Sequence, residues 1–163
     1  MQKKYFPIFV DISQKKIVVI GGGVIATRRV HTLLQFAEQI TVVAPEITVE
    51  LQEMSDKGLI TWQCAEYGEK LIAEADMVIA ATNQPQLNHQ IKADCMKREQ
   101  QIGHRILVSV IDDKELCDFY FPSIVQSEDI VVGISSGGTS PSKTKIIRKK
   151  IENLLESDSI YDK

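Results

Sequence analysis

Hydrophobic positions along the chain switch between short continuous runs and helical spacing. Residues 17–20 are four consecutive β-branched residues, which is typical of a parallel strand buried on both faces. After the glycines at 21–23, apolar residues recur at helical spacing at Ala26, Val30, Leu33, Leu34 and Ala37. The N-terminal part of the chain is therefore predicted to form a strand, a glycine turn and a helix.

The same switching continues through about residue 111. The pattern predicts further strands over 39–43, 59–67, 75–81 and 105–111 and helices over 47–57 and 87–100. Strands that alternate with helices predict an α/β fold, a Rossmann-like doubly wound parallel sheet. Right-handed crossovers would bring the ends of the first, second, fourth and fifth strands to one edge, where ligands bind in such sheets.

The last third of the chain breaks the alternation. An aromatic cluster at 119–122 has no helical spacing, and the strand predicted over 129–135 has no helix before it. A helix then begins at Pro141, runs to about residue 155 and carries five basic residues. We predict a nucleotide-binding domain over 1–114 and a small α+β segment over 115–163, with a frayed end at 157–163.

Composition narrows the class of protein. The chain has 163 residues, 44% of them hydrophobic and 25% charged, which is typical of a globular protein with one domain, or with one domain and an appendage. A net charge of −3 argues against a nucleic-acid partner, and neither a secretory signal nor a membrane span is expected. The cysteines, odd in number and far apart, fit reduced thiols in the cytoplasm, and no metal-ligand spacing occurs among Cys64, Cys95, Cys117 and the histidines.

The glycines match a dinucleotide fingerprint. Gly21, Gly23 and Ala26 give the G-x-G-x-x-A form, in which Gly21 takes the tight turn and Gly23 lets the backbone approach a pyrophosphate. Amide groups at the start of the helix would then face the anion. The alternative is an ordinary strand–helix turn that binds nothing.

The end of the second predicted strand offers a ribose site. Glu46 is the available acid, and the backbone of Ala44 and Pro45 could make this contact instead. No adjoining basic residue would pair a 2′-phosphate, so NAD is favoured over NADP. A solvated Glu46 is the alternative. Thr82 ends another strand at the same edge and is a further cofactor candidate.

Two later segments could carry the chemistry. Asp112 and Asp113 end a strand at the ligand edge, where a carboxylate can exchange a proton, although such pairs are more often turn formers. Around the start of the last helix, N–H and hydroxyl groups could bind a carboxylate or phosphate, or could simply cap the helix. The residues concerned are Ser135, Ser136, Gly137, Thr139 and Ser140.

Taken together, these motifs resemble the siroheme synthase N-terminal family, which contains precorrin-2 dehydrogenases and dehydrogenase/ferrochelatases. The resemblance spans nearly the whole chain. The segments that carry it are 6–9 (FPIF), 21–29 (GGGVIATRR), 42–46 (VVAPE), 79–83 (IAATN), 111–119 (IDDKELCDF), 121–124 (FPSI) and 135–141 (SSGGTSP).

This resemblance implies NAD-dependent dehydrogenation of the tetrapyrrole precorrin-2 to sirohydrochlorin. It implies that Asp112 is the acid/base, with Asp113 as second choice, and that Ser136 lies at the substrate end of the site. It also implies a homodimer built by the segment after the Rossmann domain. The cofactor contacts that it carries over are Gly23, Val24, Ile25, Pro45 and Glu46. A bifunctional dehydrogenase/ferrochelatase and a non-catalytic NAD-sensing module are the alternatives.

Overall fold

The computed structural model describes residues 6–156, and the predicted frayed end at 157–163 lies outside them. Five parallel strands form one sheet in the spatial order β3-β2-β1-β4-β5, with β1 at its centre. This confirms the predicted Rossmann-like parallel sheet. The strands are β1 (Ile17–Ile20), β2 (Ile40–Val43), β3 (Thr61–Gln63), β4 (Met77–Ala80) and β5 (Leu107–Val110).

The core lies in the central strands because they have neighbours on both sides and on both faces. Every residue of β1 and β4 is buried, which explains why these segments are continuous apolar runs. The helices that connect the strands are α1 (Val24–Leu33), α2 (Val49–Asp56) and α3 (Pro85–Ile102). Pro85 occupies the first turn of α3, where its missing N–H removes no helical hydrogen bond.

The third strand is much shorter than the predicted 59–67. Among the strands of residues 6–156, β3 is an edge strand that pairs only with β2, from Thr41 opposite Thr61 to Val43 opposite Gln63. Since β2 ends at Val43, the chain beyond Gln63 has no strand to pair with. A short 3-10 helix at Glu69–Ile72, rather than an α-helix, then leads to β4.

Residues 120–156 form a separate compact unit. It contains an antiparallel hairpin of β6 (Ser123–Ser127) and β7 (Ile130–Ile134), followed by α4 (Pro141–Glu156). The sequence pattern predicted β7 and α4 but missed β6, since the aromatic cluster before it obscured the short alternation. No residue of α4 is buried.

The first unit ends at Phe119, whereas the predicted domain boundary lies between 114 and 115. The extra residues belong to the sheet unit because they cover the outer edge of β5. The Asp118 backbone N–H donates to the Val108 carbonyl at 2.8 Å, and its carboxylate accepts the Val108 N–H at 2.9 Å. None of the helices within residues 6–156 is long and apolar enough to cross a membrane.

Candidate functional site

The carboxyl ends of the central strands surround a cavity of about 710 Å³. This volume lies in the ordinary range for small-molecule and cofactor sites. All eight residues predicted to bind the cofactor line it: Gly21, Gly23, Val24, Ile25, Ala44, Pro45, Glu46 and Thr82. Lining residues that the sequence analysis did not single out include Ala65, Glu66, Tyr67, Gln84, Leu87 and Ile111.

The glycine turn (Gly21–Gly23) forms one wall of the cavity, and its residues have different reasons to lack a side chain. Gly21 has φ +121°, and a Cβ there would collide with the backbone of Ala81 at the end of β4. A Cβ on Gly22 would meet the backbone carbonyl of Glu46. At Gly23 a Cβ would meet no protein atom within 4 Å, so the missing side chain leaves open space in the cavity.

The open space beside Gly23 fits the backbone approach that a dinucleotide pyrophosphate requires. Gly23 is the N-cap of α1, and the first amide groups of a helix have no partner within it. These amides carry the positive end of the helix dipole, which attracts an anion. Val24 and Ile25, the first residues of α1, are exposed beside them.

A pair of threonines, buried Thr27 and partly buried Thr48, holds the glycine turn in place. The hydroxyls of Thr27 on α1 and Thr48 before α2 are 2.7 Å apart, and the Thr27 hydroxyl also donates to the Gly23 carbonyl at 3.0 Å. The Thr48 backbone N–H donates to the Gly22 carbonyl at 3.0 Å, and its side chain caps α2. The loop after β2 is thereby fixed against the glycine turn.

At the end of β2, the backbone oxygens proposed as ribose ligands already accept hydrogen bonds. The Ala44 carbonyl accepts from the Trp62 indole N–H at 3.0 Å, and the Pro45 carbonyl accepts from the Cys64 thiol at 3.3 Å. The Glu46 side chain is exposed and lines the cavity. This arrangement favours the Glu46 carboxylate over the two carbonyls as the ribose ligand.

Tyr67 forms the wall of the cavity beyond β3. It is half-buried, and its hydroxyl donates to the Asp94 carboxylate on α3 at 2.9 Å. Burial, together with this hydrogen bond to a negative charge, raises the pKa of Tyr67 above its usual value. The phenol therefore stays neutral and keeps its proton on the bond to Asp94.

Thr82 and Asp112, at the ends of β4 and β5, are joined through Asn88 on α3. The Asn88 side chain is fully buried. Its Oδ1 accepts the Thr82 N–H at 3.1 Å and the Thr82 hydroxyl at 2.7 Å. Its Nδ2 donates to the Thr82 carbonyl at 3.1 Å and to Asp112 Oδ1 at 3.1 Å. We call these three residues the Asn88 network.

The neighbouring Asp113 has different partners. Its carboxylate accepts the Glu115 N–H at 2.9 Å, capping a short 3-10 helix at Lys114–Leu116, and it lies 3.4 Å from His89. Asp113 thus behaves as the turn former that the sequence allowed. The Asp112 carboxylate, in contrast, is exposed and accepts a hydrogen bond from Asn88, which also bonds Thr82 of the cavity wall. The two neighbouring aspartates therefore have different structural roles.

The serine-rich segment lies in the other unit, 120–156, and we describe it by itself. The Ser135 hydroxyl accepts the Gly137 N–H at 3.1 Å, and the Ser136 hydroxyl accepts the Ser140 N–H at 3.1 Å. Thr139 donates its hydroxyl to the Ser136 carbonyl at 2.6 Å. These bonds shape the entry to α4, and they leave the hydroxyl protons of Ser135 and Ser136 available to an acceptor.

In the described part of the chain, 6–156, no group of three or more His, Cys, Asp or Glu side chains could hold a metal ion. The three cysteines are unpaired: Cys64 is exposed, and Cys95 and Cys117 are buried. Burial raises the pKa of the Cys95 thiol to about 12. The Cys117 thiol donates to the Val110 carbonyl and accepts the Val110 N–H, each at 3.2 Å, which covers the free edge of β5.

A parallel sheet with a glycine turn at its central strand, a helix N-terminus and an open ligand edge defines a Rossmann-like dinucleotide-binding domain. A family model agrees: residues 8–123 match the family described as "Putative NAD(P)-binding". This match covers well over half of the chain. The chain belongs to this NAD(P)-binding family.

Curated relatives carry more specific names. Siroheme synthase of Nitrosococcus oceani is 38% identical over 152 residues, which are 93% of this chain and 31% of that protein. Siroheme synthase of Photorhabdus laumondii is 39% identical over 153 residues, 94% of this chain and 31% of that protein. The chain therefore spans about a third of the length of these relatives.

Among solved structures, one titled "SirC, precorrin-2 dehydrogenase" is similar to this chain with a TM-score of 0.76 and 29% identity. The match covers 92% of this chain and 70% of that one. It therefore includes residues from both compact units, and it agrees with the Rossmann-like fold.

Proposed function

We propose that this chain catalyses NAD-dependent dehydrogenation of precorrin-2 to sirohydrochlorin, a step of siroheme biosynthesis. The observation that carries the proposal is the joining of a dinucleotide cavity to an exposed carboxylate through the Asn88 network. The similarity to a precorrin-2 dehydrogenase over 92% of the chain supports this choice of substrate. The names of the two siroheme synthases support the same pathway.

The reaction removes two hydrogens from the tetrapyrrole, one as a hydride and one as a proton. A bound nicotinamide supplies the hydride acceptor. The amides at the start of α1 bind the pyrophosphate of the cofactor, and Glu46 binds the adenosine ribose. An acidic group at this position suits the two free hydroxyls of NAD, and its charge would repel the 2′-phosphate of NADP.

Asp112 takes the proton. An acid/base must reach the reacting carbon and must be in its charged form when it accepts a proton. The carboxylate is exposed at the strand edge, and the hydrogen bond from Asn88 engages one of its two oxygens. The other oxygen, Oδ2, receives the proton. Asp113 is occupied by its own turn and by His89, so it is the weaker choice.

The unit at 120–156 binds the carboxylate groups of the substrate and forms a homodimer. Ser135 and Ser136 have hydroxyl protons to donate, and Thr139 and Gly137 hold the entry to α4 in shape. Ile146 and Ile147 of α4 are 57% and 46% exposed, and this apolar surface would be covered by a second copy. The free cysteines fit a cytoplasmic enzyme.

The direct test is turnover of precorrin-2 by the purified protein, followed by the absorbance of sirohydrochlorin, with NAD and NADP compared. We expect turnover with NAD. Asp112→Ala should reduce kcat about 100-fold or more, the usual contribution of a positioned acid/base. Asp113→Ala should reduce it less than about 5-fold, the small effect expected of a residue without a chemical role.

Three outcomes would change the proposal. No turnover with either cofactor, together with tight NAD binding, would favour the NAD-sensing module. Equal loss in both aspartate variants would remove the distinction between the two carboxylates. A sedimentation experiment that finds only monomers at micromolar concentration would contradict the homodimer.

A further inference from the structure

We propose that Asn88 is a positioning residue, which holds the Asp112 carboxylate at a fixed place relative to the cofactor cavity. This role rests on the proposed acid/base function of Asp112. It concerns a residue in the first turn of α3 that neither lines the cavity nor belongs to a recognised motif.

Asn88 is unusual because it is a polar residue on the buried face of its helix. It lies one and two turns before Ile91 and Cys95, which are likewise fully buried. A primary amide at such a position destabilises the fold unless its donors and acceptor are satisfied. Here Oδ1 accepts two hydrogen bonds and Nδ2 donates two, so the amide is fully used.

The partners fix which way round the amide lies. The Thr82 backbone N–H can only donate, so the Asn88 atom that faces it must be the oxygen. The nitrogen then faces the Thr82 carbonyl and the Asp112 carboxylate, both of which accept. A reversed amide would lose these bonds, and the donor to Asp112 is therefore built into the core of the sheet unit.

The Asp112 side chain, by contrast, is held by little apart from Asn88. It lies two residues beyond the end of β5, and its side chain is exposed. Within residues 6–156 its carboxylate receives a single hydrogen bond, the one from Asn88 to Oδ1. Without that bond the side chain would sample several rotamers, and Oδ2 would no longer face one place at the strand edge.

The same amide also fixes the cavity wall, because Thr82 follows β4 and lines the cavity. Asn88 thus sets the distance between a cofactor-lining residue and the proposed acid/base. Displacing a reacting group by about 1 Å can slow a reaction about 100-fold, so loss of the amide should reduce kcat more than it weakens substrate binding.

The test is a double-mutant cycle in kcat, measured in the steady state with precorrin-2 and NAD varied. In the wild-type background Asn88→Ala should reduce kcat about 10- to 100-fold, while the KM for precorrin-2 changes less than about 3-fold. In the Asp112→Ala background the same substitution should change the rate less than about 3-fold, since its partner is already gone. Cys95→Ala, a fully buried change on the same helix, is the matched control and should keep the wild-type rate.

A second variant separates positioning from cavity structure. Asn88→Asp keeps an oxygen for the two Thr82 donors but presents a carboxylate to Asp112. We expect its rate to fall at least as far as that of Asn88→Ala, with NAD affinity within about 3-fold of wild type. Asn88→Ala, which also releases Thr82, should weaken NAD binding further.

A third measurement needs no activity and no Asn88 variant. In the NMR spectrum of folded protein, Asp112→Ala should move the side-chain amide protons of Asn88 upfield, because one of them loses its acceptor. Asp113→Ala should leave them in place.

The outcomes separate the positioning role from the proposed function. The positioning role is wrong if Asn88→Ala slows the reaction equally in the wild-type and Asp112→Ala backgrounds. It is also wrong if the chemical shifts of the Asn88 amide protons do not change in Asp112→Ala. If Asp112→Ala turns over like wild type, the proposed function of Asp112 fails first. If Asn88→Ala turns over at the wild-type rate while Asp112→Ala does not, the positioning role of Asn88 is wrong and the proposed function of Asp112 stands.

Discussion

The two halves of the ligand edge are built by different means. At the ends of β1 and β2 the backbone forms the surface: glycines approach Ala81 and Glu46 so closely that no side chain fits. At the ends of β4 and β5 a buried side chain, Asn88, joins the strands by four hydrogen bonds. The surface of the first half depends on the absence of side chains at the glycines, and the surface of the second half depends on one particular side chain.

This difference matches the two proposed tasks. A phosphate group is bound by amides that every residue carries, so the site needs room for the backbone to approach. A proton transfer needs a carboxylate in one orientation, which only another side chain or a main-chain donor can impose. The predictions below test this division, from the largest expected effect to the smallest.

The largest effect is expected at Gly21. Gly21→Ala combines a positive φ with a collision against the Ala81 backbone, so it should lower the free energy of unfolding by about 3 kcal/mol or more. Gly23→Ala is the matched control, since its Cβ would enter open space at φ −85°. It should change stability by less than about 1 kcal/mol and weaken NAD binding about tenfold or more. Urea unfolding and NAD titration measure the two effects, and similar stability of both variants would contradict this interpretation.

The next largest loss of stability is expected for a substitution of Asp118, which covers the β5 edge. Burial acts against its charge, but bonds from Lys92 and the Val108 N–H and the charges of Lys92 and Arg105 hold the pKa of Asp118 below its usual value. This stabilisation is present above the ordinary aspartate pKa of 3.8 and is lost as the pH falls through the lower folded value. Asp118→Asn should cost about 2 to 3 kcal/mol at neutral pH, because Lys92 loses its partner.

Urea unfolding at several pH values checks this prediction. The stability of Asp118→Asn should fall less steeply than that of wild type as the pH is lowered from about 5 to 3. Asp56→Asn, a change at an exposed carboxylate on α2, is the control and should follow the wild-type curve. A parallel pH dependence in Asp118→Asn and wild type would show that this ion pair does not stabilise the β5 edge.

A smaller effect is expected at Thr48, which supports the glycine turn. Thr48→Val removes the cap of α2 and the bond to Thr27, so it should lower the free energy of unfolding by about 1 to 2 kcal/mol. Because the turn is loosened, NAD affinity should fall about 3- to 10-fold. Thr32→Val, which removes a hydroxyl that donates to the Arg28 carbonyl within α1, should leave NAD binding unchanged. Equal NAD affinity in the two variants would contradict a supporting role for the threonine pair.

The smallest effect is expected at Tyr67. Tyr67→Phe removes the bond to Asp94 and should cost about 1 kcal/mol, with NAD affinity within about 3-fold of wild type, since the ring still forms the cavity wall. Gln90→Ala, which removes a side-chain donor to the other oxygen of Asp94, is the comparison. Thermal unfolding and NAD titration measure both, and loss of NAD binding in Tyr67→Phe would mean that the hydroxyl itself contacts the cofactor.

The sequence predicted the backbone-built half of the edge well. Glycine is itself the signal of a close approach, so the sequence alone predicts that the glycine turn and the residues after β2 share one ligand edge, and in the structure they line one cavity. The continuous apolar runs of β1 and β4 likewise predicted their burial. β3 was predicted too long because strand length depends on a neighbour, which the pattern of one segment does not contain.

The side-chain-built half was predicted only in part. Asp112 and Thr82 could be identified as strand ends, but their connection depends on the distance between two strands that are neighbours only in the folded sheet. One signal was present: Asn88 shares its helical phase with Ile91 and Cys95, and a polar residue among apolar ones indicates a buried hydrogen bond. Its partners could not be known without the fold.

The division of tasks is tested most directly by titrating NAD into Gly23→Ala and Asp112→Ala and measuring precorrin-2 turnover by the same preparations. We predict that Asp112→Ala binds NAD within about 3-fold of wild type and forms almost no sirohydrochlorin, whereas Gly23→Ala loses NAD affinity and recovers turnover when NAD is raised. An Asp112→Ala variant that turns over at the wild-type rate would contradict the account.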